Sequence, residues 1–118
     1  MASEVVVNRE NGMLMCVIEF GTIPGMEERN RALVTEMLKE SARIDGFISK
    51  ETFVSRDNPA KVITISCWQD QAALDRWMQD PEHRRVIPIG RNELFTHYTI
   101  QVAEVKYEKK WRKPGTAG

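Results

Sequence analysis

Two histidines, His83 and His97, are the residues of this chain best suited to proton transfer near neutral pH, because an unperturbed imidazole titrates in that range. His97 lies in an alternating segment that predicts a rigid strand, and we expect it to be the better candidate for a general base. The alternative is a histidine at a surface or an interface. His83 follows Asp80-Pro81-Glu82 in the first turn of a predicted helix. There, capping or packing is the alternative to a contact with a substrate.

Three further side chains have the chemistry to bind a ligand. Arg91 offers a planar fork of donors that suits an enolate or a carboxylate, and an ordinary solvated loop arginine is the alternative. Trp68, at the end of a predicted strand, offers a flat wall and an indole donor, with core packing as the alternative. Tyr98 alternates with His97, so only one of the two can face a given side of the sheet. The predicted catalytic residues are therefore His97 and Arg91, and the predicted substrate-binding residues are Trp68, His83 and Tyr98.

Several common chemistries lack their signatures in this sequence. There is no Cys-x-x-Cys, no His-Glu-x-x-His, no glycine-rich phosphate loop and no Gly-x-Ser-x-Gly, so we expect no metal site, no nucleotide site of these types and no serine catalysis. The two cysteines, Cys16 and Cys67, lie in apolar segments. This favours buried free thiols over a disulfide, and a reducing compartment, the cytoplasm.

The composition indicates one domain without a strongly charged partner. The 118 residues are 42% hydrophobic, which suffices for one core. Lys+Arg and Asp+Glu each number 17, so no net field attracts nucleic acid or an acidic membrane. The basic segment 107–118 contains Tyr107 and Trp111, and we expect a solvated tail or an arm laid on a partner subunit rather than a nucleic-acid site. No apolar run is long enough to span a bilayer, and residues 1–12 lack the pattern of a secretion signal.

The hydrophobic pattern predicts the elements that must position these residues. Residues 13–20 form a nearly continuous apolar run, which is typical of a buried strand. Apolar residues at helical spacing predict an amphipathic helix over about 26–44, and Gly46 can end it in a left-handed conformation. The segments 47–55 and 61–68 alternate and predict a hairpin.

The second half of the chain predicts two helical segments and a strand. Asp70 can cap the first, and Asp80 with the proline after it predicts a second start that runs toward Ile87. The proline, glycine and asparagine within residues 88–92 predict a loop. The alternating segment 94–105 then predicts a long final strand.

This element order predicts an α+β fold, a ferredoxin-like split β-α-β sandwich with a four-stranded antiparallel sheet and the helices on one face. In the strand 61–68, Val62 lies on one face, whereas Ile63 and Ile65 lie on the other. The helix-free face would therefore expose apolar side chains, and we expect a second copy to cover it in a homodimer. The predicted bounds are an N-terminal segment 1–12, a domain 13–106 and a tail 107–118.

Residues 68–105 resemble the antibiotic biosynthesis monooxygenase family of dimeric α+β barrels. In that family a strand-ending Trp leads into a helix with a second Trp, a short helical turn with a His follows, and a strand closes the domain. Trp68, Trp77 and His83 match these features. The aromatic residues on the closing strand are Phe95 and Tyr98.

The resemblance implies a cofactor-independent monooxygenase that acts on a small aromatic or polyketide-like substrate and uses neither metal nor flavin. In such a reaction the substrate anion itself reduces oxygen, and the protein takes a proton and stabilises negative charge, the roles expected of His97 and Arg91. The alternatives are a non-catalytic small-molecule-binding or regulatory dimer of the same fold and a haem-binding relative. Haem-degrading members have an Asn in the first strand, and the segment 13–20 has none.

Overall fold

The computed structural model describes residues 4–7 and 12–115. Within these residues the chain forms six strands and three α-helices, the last of which continues into a π-helical turn. The strands are β1 (Glu4–Val7), β2 (Leu14–Thr22), β3 (Phe47–Val54), β4 (Lys61–Trp68), β5 (Phe95–Glu104) and β6 (Glu108–Trp111). The helices are α1 (Glu27–Ala42), α2 (Gln71–Gln79) and α3 (Pro81–Ile89), and the π-helical turn is Gly90–Leu94.

The main sheet has four antiparallel strands in the order β3-β4-β2-β5, which confirms the ferredoxin-like α+β fold. The helices cover one of its faces. Along β4 the alternate residues Val62, Thr64 and Ser66 are buried under them, whereas Ile63 and Ile65 on the other face are only half-buried. The alternation predicted from the sequence is confirmed.

Aromatic rings form the centre of the core. Trp68 is fully buried, and its ring lies 6.1 Å from that of Trp77 and 5.5 Å from that of Phe47, between centroids. Its indole N–H donates to Ser66 Oγ at 2.9 Å. A buried indole is stable when its polar edge has a partner, so the packing fixes Trp68 inside the core.

Two aspartates fix where α2 and α3 begin. The Asp70 carboxylate accepts from the backbone N–H of Ala73 at 2.9 Å, and that of Asp80 accepts from the N–H of Glu82 at 2.9 Å. These bonds satisfy donors that have no partner within the helix. Because Asp80 fixes the first turn of α3, it also fixes the orientation of His83.

The loop predicted over residues 88–92 is wrong. Helix α3 continues through Pro88 to Ile89, and the chain then makes the π-helical turn. Tertiary packing overrides the local breakers here: Leu94 is fully buried, and its carbonyl accepts from Ile23 N–H at 2.8 Å. A β-carbon at Gly90 would lie 2.6 Å from the Phe95 ring, so glycine is needed for the close approach.

A second sheet was not predicted from the sequence. Strands β1 and β6 pair as an antiparallel ribbon in which Glu4 lies opposite Trp111 and Val7 lies opposite Glu108. The ribbon joins segments from both ends of the chain, outside the predicted bounds 13–106. A two-stranded ribbon is marginally stable by itself.

The two cysteines are free thiols, as predicted. Cys16 lies opposite Ser66 and Cys67 lies opposite Met15 in the ladder between β2 and β4. Their side chains therefore point to opposite faces of the sheet.

No helix in the described ranges has the length and apolar character needed to cross a lipid bilayer.

Candidate active site

A cavity of about 240 Å³ lies between the helices and the covered face of the main sheet. Most of its wall is apolar. The principal apolar lining residues are Ile18, Phe20, Leu33, Met37, Val86 and Ile100. The polar lining residues are Cys16, Asn30, Lys50, Thr64, Ser66, His83, Arg91 and Tyr98. A mostly apolar cavity with a few convergent polar groups is typical of a small-molecule site.

The sheet register separates two polar ends of this cavity. Lys50, Ser66 and Cys16 lie side by side on β3, β4 and β2. Tyr98 lies opposite Phe20, four residues further along β2 than Cys16. At the rise of a strand this spacing is about 13 Å. The cavity therefore has a buried end beside Lys50 and an exposed end beside Tyr98.

His83 stands in the cavity wall against Trp77. The two rings are stacked with centroids 4.3 Å apart and planes 28° apart. Burial, and then the positive charge of Lys50, lower the pKa of His83 to about 4, although Asp80 and the backbone of Trp77 oppose the shift. The imidazole is therefore neutral at pH 7. Its buried Nδ1 has no hydrogen-bond partner among the described residues.

Lys50 was missed by the sequence reasoning. Its Nζ lies 4.9 Å from the centroid of the Trp77 ring. Burial lowers the pKa of Lys50 to about 8, and Cys16 partly opposes this. Strand alternation places Lys50 on the same face of β3 as Thr52 and Val54, but it does not show which face the helices cover. A lysine in that position points under the helices.

Cys16 and Ser66 complete the buried end. Burial raises the pKa of the Cys16 thiol, and a hydrogen bond with Ser66 and the charge of Lys50 act in the opposite direction. The thiol is thus protonated at neutral pH. Trp68 does not line the cavity. Its indole N–H donates to Ser66 Oγ, so Trp68 contacts a lining residue but not the cavity itself.

Arg91 and Tyr98 meet at the exposed end. Arg91 Nε donates to Tyr98 Oη at 2.8 Å, and the guanidinium carbon lies 5.6 Å from the centroid of the tyrosine ring. Arg91 belongs to the π-helical turn rather than to a loop. The structure thus brings three of the five predicted site residues, Arg91, His83 and Tyr98, to one cavity.

His97 is not brought to this cavity. Tyr98 lines it, and the alternation along β5 therefore turns His97 to the helix-free face. His97 is exposed, and its Nδ1 lies 2.9 Å from Thr96 Oγ1. A catalytic role for His97 remains a prediction without a contact to the cavity.

Asn30 is another polar group that sequence reasoning missed. It lies on α1, is buried at 6% exposure and lines the cavity, and its Oδ1 has no hydrogen-bond partner among the described residues. An acceptor left unpaired in a buried wall is a ready contact for a ligand hydroxyl.

No three His, Cys, Asp or Glu side chains in the described ranges come together as a metal-binding group.

Comparison with known proteins identifies a family for this fold. The family model described as antibiotic biosynthesis monooxygenase matches residues 13–88, which is more than half of the chain. The jasmonate monooxygenase of Pyricularia oryzae is 26% identical over 93 residues, covering 79% of this chain and 43% of that protein. The uncharacterized protein YqjZ of Bacillus subtilis is 26% identical over 77 residues, covering 65% of this chain and 66% of that protein. The chain thus spans less than half of the fungal relative.

Solved structures share the fold at lower identity. Protein SO0527 from Shewanella oneidensis has a TM-score of 0.74 at 21% identity, over 90% of this chain and 97% of that chain. SnoaB from Streptomyces nogalater, described as a cofactor-independent oxygenase, has a TM-score of 0.70 at 18% identity, over 78% of this chain and 91% of that chain. These structures agree with the element order and the four-stranded sheet described above.

Proposed function

The chain belongs to the antibiotic biosynthesis monooxygenase family, and from that membership we propose that its cavity is the active site of an oxygenase that uses neither a metal ion nor a flavin. The substrate class is a small aromatic or polyketide-like molecule. The apolar wall and the volume of about 240 Å³ support a small, mostly apolar ligand. The fungal relative is named for jasmonate and SnoaB is described as a cofactor-independent oxygenase, and both names support oxygenation in general terms.

One observation carries this proposal: a neutral imidazole, His83, has an unpartnered Nδ1 inside an apolar cavity. We assign His83 as the group that takes a proton from the substrate. A pKa of about 4 makes it a weak base while the cavity is empty. Negative charge that develops on an adjacent substrate favours the imidazolium, so proton transfer and charge formation assist each other.

The chemistry balances without an external reductant. In an anthrone-like substrate a ring CH₂ loses a proton to His83, and the resulting enolate gives one electron to O₂. Superoxide and the substrate radical combine into a peroxide anion, which takes the proton back from His83. The resulting hydroperoxide then loses water. Overall, CH₂ and O₂ become C=O and H₂O, so the substrate supplies every electron. The contribution of the protein is limited to proton transfer and stabilisation of the anion.

The helix-free face supports a homodimer as part of the same proposal. It carries Ile63 and Ile65 together with Phe53, which is 47% exposed. Apolar side chains on one open face of a sheet favour association with a second copy.

The two free thiols support a reducing compartment, the cytoplasm.

An oxygen electrode tests the proposed activity. Purified protein with a chelator and no added flavin is mixed with a panel of hydroquinones and anthrones, and heat-denatured protein is the control. We expect oxygen uptake that depends on native protein. Ligand binding without oxygen uptake would instead favour a non-catalytic binding or regulatory dimer. A shifted Soret band after addition of haemin would favour a haem-binding relative.

A further inference from the structure

We infer that Lys50 is a specificity-determining residue: its ammonium binds an anionic oxygen of the ligand, so that the cavity selects phenolates or enolates over neutral molecules of the same shape. The inference rests on the proposed function only in taking the cavity as the ligand site. It does not depend on whether the bound molecule is oxygenated.

The position of Lys50 is the first support. It lies on β3 directly opposite Ser66 of β4, which lies opposite Cys16 of β2. Directly opposed residues on antiparallel strands are neighbours. The Nζ therefore lies at the buried end of the cavity, over the Trp77 ring at 4.9 Å, where it faces the space that a ligand would fill.

The second support is the absence of a counter-charge. The groups that face Lys50 from the neighbouring elements are the Cys16 thiol of β2, the Ser66 hydroxyl of β4 and the neutral His83 of α3. On the side of α1, Lys50 borders a smaller pocket with the uncharged residues Val34, Thr35 and Leu38 and with Glu51. Glu51 is exposed, and alternation directs its side chain away from the main cavity. No carboxylate in the described part of the chain forms an ion pair with Lys50. A half-buried ammonium whose only contact of opposite polarity is an aromatic face is under-solvated.

An anionic oxygen of a ligand would give the Lys50 ammonium the acceptor that the described residues do not provide. It supplies the charged acceptor that the ammonium lacks, in a low-dielectric site where the interaction is strong. The lowered pKa of Lys50 agrees with an ammonium that is short of partners. A neutral ligand of the same shape would leave Lys50 unpaired, and selection against molecules that leave buried polar groups unpaired is steep.

The test measures binding without turnover. Under anaerobic conditions 4-nitrophenol is titrated into the protein slightly below the pH at which the free phenol ionises, and the visible phenolate band is recorded. 4-Nitroanisole is the neutral ligand of nearly equal shape. For the wild type we expect growth of the phenolate band on binding. For Lys50→Met we expect affinity for the phenolate to fall about 10- to 100-fold and affinity for 4-nitroanisole to change little.

Lys39→Met is the matched control, because Lys39 is an exposed lysine of α1 outside the cavity. This variant should bind the phenolate with the affinity of the wild type. Circular dichroism confirms that each variant is folded. Equal affinity of the wild type and Lys50→Met for the phenolate overturns the inference. The inference is also overturned if the wild type does not bind the phenolate, or if it binds 4-nitroanisole at least as tightly as the phenolate. Lys50-dependent binding without oxygen uptake on any substrate would contradict the proposed oxygenase and leave the inference intact.

Discussion

The imidazole of His83 stacks on the indole of Trp77 with ring centroids 4.3 Å apart. This contact holds an ionisable side chain in an apolar wall and leaves its Nδ1 without a protein partner among the described residues. Because the charged form of His83 is disfavoured there, the same contact links stability to pH. The imidazole of His83 is also the group whose removal should stop proton transfer.

The free energy of unfolding should fall as the pH is lowered from about 6.5 to about 4. The pKa of His83 is lowered to about 4 in the folded protein, whereas an unfolded histidine titrates near 6.5. Between these values the unfolded state binds more protons, so acid favours unfolding. Urea denaturation of the wild type and His83→Phe across this range measures the effect. Parallel pH profiles for the two proteins would contradict it.

Trp68→Ala should lower the free energy of unfolding by about 3–5 kcal/mol, as expected for a large side chain removed from a core. Trp68 is fully buried and donates to Ser66, so its replacement leaves a cavity and removes one hydrogen bond of the Ser66 hydroxyl. Chemical denaturation measures the loss. Unchanged stability with lost ligand binding would instead support the prediction that Trp68 is a substrate wall.

Arg91→Met should raise KM about tenfold or more, since it removes a charge-assisted donor at the exposed end of the cavity. Tyr98→Phe should have a smaller effect, about fivefold, because it deprives Arg91 of the hydroxyl that orients it at 2.8 Å. Steady-state oxygen uptake gives both values. If neither variant changed KM, the exposed end of the cavity would not contact the substrate.

Phe53→Lys should convert the protein to a monomer, because it places a charge on the apolar helix-free face. Val54→Lys is the control: Val54 is the next residue of β3, is 61% exposed and faces the other side. Sedimentation velocity at micromolar concentration distinguishes the two. A wild type that sediments as a monomer would contradict the proposed dimer.

Most of the fold follows from local patterns. The hairpin over 47–54 and 61–68 and the starts of α2 and α3 depend on alternation and on capping residues within a few positions. The ribbon of β1 and β6 could not be predicted in this way, because its strands come from opposite ends of the chain. Neither could the continuation of α3 through Pro88, which depends on the burial of Leu94.

The site was harder to predict because strand alternation fixes which residues share a face but not which face the helices cover. In β5 the choice lay between His97 and Tyr98, and Tyr98 faces the cavity. A register shift between Gly21 and Thr22 adds Phe95 to the same face, which simple alternation would not give. Lys50 was missed for the same reason.

Oxygen uptake by two histidine variants tests the central claim most directly. His83→Phe keeps a ring on Trp77 but removes Nδ1, and uptake should fall by about 100-fold or more. His97→Phe changes a side chain that does not line the cavity and keeps an uncharged ring on the helix-free face, so uptake should stay within about twofold of the wild type. Wild-type rates for His83→Phe together with lost activity for His97→Phe would contradict the assignment of His83 as the base.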